Sequence, residues 1–206
     1  MPDHTGSTAS GLGPELPNVV EWRPGRSEAI TWNVVGLLVT LISIPGFAMP
    51  SVLRGLAGGS VSISLGDVVL VVGITLLLVI GHEGIHGMLM RGFGARPRFG
   101  ATLVGRFVPA LYATAAGHHF SRSQYLAIAV APGLLVSGLG LWACFGPWAG
   151  YLILPLALHL GGCVGDGFAA WRVLKEPAST QCEDLIDGIR FHHGSGVAML
   201  APPAPD

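Results

Sequence analysis

The feature that most constrains this chain is a set of long apolar stretches, each about as long as a membrane is thick. Ala29 to Met49 carries no charged residue, and about 20 such residues suffice for a helix to cross a hydrocarbon layer of about 30 Å. Three more stretches of that kind follow, at about 67–90, 125–145 and 148–174. Together they predict an all-α integral membrane fold of about four transmembrane helices. Only 11% of residues are charged and the mean hydropathy is +0.60, whereas a water-soluble domain carries about 25% charged residues. Net charge is −1, so the basic excess expected of a nucleic-acid binder is missing. Cys144, Cys163 and Cys182 form no C-x-x-C pair and are odd in number, which argues against a disulfide framework or a thiolate zinc cluster; they read as packing residues or free thiols.

Around the spans, residues 1–28 read as a flexible cytoplasmic tail without a signal-peptide core, 29–175 as the membrane domain, and 176–206 as a cytoplasmic C-terminal tail. Pro45 and Pro50 are expected to end the first span. The alternating run Ser60 to Leu65 suggests a short strand or interfacial turn, and Arg91 to Gln124, where Gly, Pro and Arg punctuate apolar pieces, a short β-hairpin or membrane-dipping loop. Basic residues orient membrane proteins toward the cytoplasm. With both termini inside, ten of the eleven Lys and Arg residues lie inside and only Arg54 outside. The expected location is therefore the cell membrane, with both termini cytoplasmic.

Ionisable groups within a span cost a few kcal/mol each, and this chain keeps five: His82, Glu83, His86, His159 and Asp166. The first three form H-E-x-x-H. On a helix, the i, i+4 spacing puts both imidazoles on one face, where they can reach a single zinc ion. Glu83 projects about 100° from His82, close enough to reach a water on the metal without being a ligand. The bland alternative is three polar residues near an interface, satisfied by backbone or by one another. A catalytic zinc site needs a third protein ligand. Asp166 is the strongest candidate, because it and His86 both lie about 8 to 9 Å from the cytoplasmic ends of their helices; a carboxylate bonded to a neighbouring Ser or amide is the alternative. His159, two turns from Asp166 on nearly the same face, reads as an outer hydrogen-bond donor, an oxyanion stabiliser, an alternative ligand or a plain core histidine. His118, His119, His192 and His193 read as solvated. Small residues at Gly81, Gly84 and Gly87 and at Gly161, Gly165 and Ala169 suggest that the second and fourth spans pack closely there.

The segments Gly81 to Gly87, Arg91 to Pro97, Pro109-Ala110-Leu111-Tyr112, Ala131-Pro132 and Gly165-Asp166-Gly167 resemble the zincin membrane peptidases. The resemblance covers about Val68 to Asp187. More distantly, the layout is similar to the site-2 proteases. That likeness implies His82, His86 and Asp166 as zinc ligands, Glu83 as general base, and a transmembrane or membrane-associated protein as substrate. The site-2 group has an Asn and a Pro at set distances before its Asp-Gly; here Pro155 to Asp166 departs from that pattern, and His159 occupies the Asn neighbourhood. The expected function is hydrolysis of membrane-protein peptide bonds in contact with membrane lipid, a role compatible with a homo-oligomer. The Arg98 to Tyr112 segment is expected to offer a strand edge to an extended substrate. A non-enzymatic membrane metal-binding or transport protein, and an inactive relative acting as chaperone or regulator, stay open as alternatives. Transport should place ionisable groups at successive depths, whereas here the outer half is nearly empty of them.

Overall fold

The computed structural model describes residues 19–55, 63–104 and 108–193. The chain runs β1 (Val19–Trp22), α1 (Arg26–Leu53), α2 (Leu65–Gly92), β2 (Arg98–Val104), β3 (Val108–Thr114), β4 (His119–Ser121), α3 (Arg122–Ala143), α4 (Ala149–Gly162), α5 (Val164–Leu174), β5 (Gln181–Leu185) and β6 (Gly188–His192). It is mostly helical. Counting α4 and α5 together, four helices among the described residues are long and apolar enough to cross a membrane.

Local chemistry sets the helix ends. Ser64 accepts from the Asp67 N–H while Asp67 accepts from the Ser64 N–H at 2.8 Å, a reciprocal cap that starts α2. Ser121 and Gln124 repeat the arrangement at α3. Gly94, at φ 89°, follows the end of α2, where the left-handed backbone suits glycine. Contrary to the sequence expectation, α1 runs through both Pro45 and Pro50 to Leu53. Proline removes one intrahelical bond and bends a helix, but neighbouring elements can re-satisfy the freed groups. The fourth span is likewise not one helix, because α4 and α5 meet at a turn on Cys163. Gly161, Gly162, Gly165 and Gly167 crowd that point, and glycine is a poor helix former.

The all-α expectation is corrected by a four-stranded antiparallel sheet in the order β1-β6-β5-β4. Its strands come partly from segments read as tails: β1 from within 1–28, and β5 and β6 from within 176–206. Each strand is only three to five residues long, too short for composition to reveal. Residues 1–18 and 194–206 lie outside the described residues, as does the first half of the Ser60 to Leu65 run; its last two members cap and open α2. The hairpin expected between the second and third spans is present as the β2–β3 pair, with Phe99 opposite Ala113 and Gly100 opposite Tyr112.

Alternation along the sheet gives it one buried face. Phe120, Cys182, Ile189 and Phe191 pack with Met90, Tyr125, Ile128, Ala170 and Val173, so the sheet closes one end of the helical bundle. At the other end, Phe47, Cys144, Ala149, Leu156 and Ala157 form a second core. There Arg54 donates to the Phe145 carbonyl at 2.8 Å and Tyr151 to Asp67 at 2.8 Å. Between the two ends the helices turn large apolar side chains outward, among them Leu37, Leu41, Ile42, Leu76, Leu77, Leu134 and Leu139. A water-facing protein seldom exposes so large an apolar area.

Helix packing differs from the expected glycine contact. The Gly161 face meets α1: a Cβ on Gly161 would stand 2.5 Å from the Gly36 carbonyl oxygen and overlap Thr40. Gly81 and Gly84 face open space, and Gly87 lies under the Phe99 ring of β2. Helices α2 and α4 do touch, but through other residues.

Candidate metal centre

The i, i+4 spacing on α2 brings His82 Nε2 and His86 Nε2 to 3.0 Å from each other. Asp166, in the first turn of α5, completes a triangle, with Oδ2 at 3.1 Å from His82 Nε2 and Oδ1 at 3.7 Å from His86 Nε2. Ligands bound tetrahedrally at about 2.0–2.1 Å stand about 3.3–3.4 Å apart. The observed distances straddle that value, with a different carboxylate oxygen facing each imidazole, and one ligand atom from each residue lies within 4.8 Å of the others, so the two nitrogens and the carboxylate are close enough together to share one zinc ion.

The outer nitrogens decide which inner ones are free. His86 Nδ1–H donates to the Ile128 carbonyl at 2.9 Å, which leaves Nε2 of the neutral ring as a lone pair facing the triangle. That carbonyl is available because the residue four places on is Pro132, which has no N–H to close the helical bond. His82 Nδ1 lies 3.1 Å from His159 Nε2, so His82 can point its own Nε2 lone pair inward. Two imidazole lone pairs and a carboxylate then converge without a protein proton between them. The donor chemistry, like the spacing, suits a divalent cation.

The structure thus brings four of the sequence-predicted residues into contact. His159 is buried and meets His82, while Asp166 is partly exposed. Glu83 is partly buried on the flank of α2, and its carboxyl neighbours the Ala113 backbone amide of β3. One group escaped the sequence reading. Cys163 Sγ lies 3.7 Å from His82 Nδ1 and donates to the His159 carbonyl at 3.2 Å, so with His82 and His159 it forms a second metal-compatible grouping. Its position four residues after His159 and three before Asp166 was the available signal. His118 and His119 do not approach the triangle.

Two grooves flank α2 and α3. One of about 830 Å³ follows Gly81, Gly84 and Gly87, on the face of α2 turned away from the histidines. The other, about 740 Å³, lies between α1 and α3 and reaches Asp166, passing Gly46, Gly133 and Ser137. It gives the triangle an opening toward the apolar flank of the bundle.

A family model described as putative zincin peptidase matches residues 75–181, just over half of the chain, and the chain belongs to that family. The match spans all of His82, Glu83, His86, His159 and Asp166. No curated protein and no solved structure matches the chain. Family membership supports a metallopeptidase and implies zinc, in keeping with the His and Asp groupings.

Proposed function

We propose that this protein is an integral membrane zinc metallopeptidase of the site-2 kind, cutting membrane-protein substrates close to the cytoplasmic surface. The observation that carries the reading is the His82–His86–Asp166 triangle, with edges of 3.0 to 3.7 Å and outer partners that free its lone pairs. His82, His86 and Asp166 would hold the ion. When bound, zinc supplies Lewis acidity, which acidifies water and polarises a peptide carbonyl. Glu83, set on the flank of the same helix, takes a proton from water and returns it to the leaving amine. His159 keeps His82 in the required tautomer and orientation. Because Glu83 sits beside Ala113, an extended peptide pairing with the β3 edge would pass the carboxyl, and strand addition supplies the backbone bonds an unwound substrate needs.

Several features support placement at the inner surface. The triangle lies at the sheet end of the bundle, the end that the distribution of Lys and Arg assigns to the cytoplasm. An aromatic row, Trp22, Trp32, Phe168 and Trp171, stands at the same level, with Lys175 over the Trp171 ring at 3.4 Å. Such rings favour the headgroup zone. Water then has a short path to Glu83.

The test is purification of the full chain in detergent, zinc analysis, and assay on a panel of membrane-segment peptides. Glu83→Gln should retain its zinc and lose hydrolysis, and His86→Ala should lose one equivalent of zinc together with hydrolysis. Equal cleavage by Glu83→Gln and the unaltered chain would reject Glu83 as the base. Zinc at the triangle with no cleavage in any preparation would favour the metal-binding or regulatory alternatives.

A further inference from the structure

We propose that the sheet carries a second divalent-metal site, built from His119, Glu183 and His192, which takes a zinc-class ion independently of the triangle between the helices. In the strand register, His119 on β4 lies opposite Glu183 on β5, and Glu183 lies opposite Arg190 on β6, two residues before His192. The period of two puts all three on the face turned away from Phe120, Cys182 and Phe191. Their ligand atoms lie within 4.8 Å of one another. His192 Nε2 is 3.2 Å from Glu183 Oε2, and the two imidazoles stand 4.1 Å apart at their centroids.

Glu183 is nearly fully buried although it belongs to this outer face. Its Oε1 accepts from the Gly117 N–H at 2.8 Å, which fixes the carboxylate in place. Arg190 also donates to Oε2 at 2.8 Å and so competes with an arriving cation for that oxygen. Arg190 holds a second carboxylate, Glu21, through bonds of 2.6 and 2.8 Å, so releasing Glu183 leaves the guanidinium paired. Two imidazoles and one carboxylate select zinc or a similar late transition metal over calcium and magnesium. Exposure of His119 leaves room for water as a further ligand and for exchange with the medium. Bound there, the ion would tie together β4, which leads directly into α3, and the β5–β6 hairpin that follows α5.

The His86→Ala full chain, stripped of metal in detergent, isolates this site. Titration with Zn2+, and with Co2+ followed by its visible absorption, should show one equivalent bound and a rise in melting temperature that Mg2+ and Ca2+ do not reproduce. Adding His119→Ala should weaken binding by about tenfold or more and abolish the rise; because His119 is exposed, the sheet itself should persist, and His192→Asn should behave alike. The proposal is overturned if the His86→Ala chain takes up no zinc, or takes it up equally with and without His119. Zinc in the unaltered chain that is indifferent to His86→Ala but lost with His119→Ala would instead sink the helix-borne triangle and leave the sheet site standing.

Discussion

Single side chains carry the chemistry through what stands behind them. His159 touches the triangle only through His82, so His159→Ala should leave the fold intact while lowering zinc affinity about 10- to 100-fold; unchanged affinity by competition with a chromogenic chelator would remove it as a positioning residue. The H-E-x-x-H residues were legible because their spacing alone places them on one helix face. Cys163 was not, since its nearness to His82 depends on how α4 abuts α2. On the sheet, burial pushes the Asp184 carboxyl up to about 6, against a hydrogen bond from the Tyr125 hydroxyl that pulls it down. Between its ordinary value near 3.8 and about 6, the folded chain holds a proton that the unfolded chain has released, so stability falls as pH rises through that window. Asp184→Asn should flatten that part of a melting-temperature profile, and an unaltered slope would exclude Asp184 as its source.

Among the elements, Pro132 links α3 to the face of α2 that carries His82 and His86. Pro132→Ala would supply an N–H that competes for the Ile128 carbonyl now taken by His86. The helix should become straighter and locally more stable, yet zinc affinity should fall and hydrolysis with it. Affinity equal to that of the unaltered chain would show that the carbonyl does not orient His86. The sequence marks Ala131-Pro132 as a break, but not what the break releases. Glycine behaves in the same way. Gly161→Ala collides with the Gly36 backbone and should cost about 1–3 kcal/mol, whereas Gly73→Ala meets nothing within 4 Å and should be neutral or stabilising by up to about 1 kcal/mol. Thermal unfolding of the two variants in one detergent compares them directly; equal melting temperatures would contradict a tight α1–α4 crossing.

For the whole molecule, the two chain ends meet in one sheet, with Val20 opposite Phe191 and Glu21 opposite Arg190. Both described termini therefore lie on the same side of the bundle as the triangle, and Arg54 lies at the far end. Reporter enzymes fused before Met1 and after Asp206 should be active in the cytoplasm, and one inserted beside Arg54 active only outside; the reverse pattern would overturn the orientation. The four long apolar helices were legible because length and hydrophobicity accumulate residue by residue along the chain. The sheet was not, because only its β5–β6 pair is local; β4 is held by partners at least sixty positions away and β1 by partners more than one hundred and fifty away, as with Trp22 opposite Ile189.

What the sequence by itself determined is local or additive: four apolar lengths, the sidedness of the basic residues, and two imidazoles one helical turn apart on α2 with a carboxyl between them in the chain. Only the tertiary structure decided which distant carboxylate joins them, why the Ile128 carbonyl is free to hold His86, and that a sheet rather than loose tails closes the bundle. These depend on helix crossings and strand register, set by van der Waals contact between segments far apart in the chain. No window of neighbouring residues contains that information.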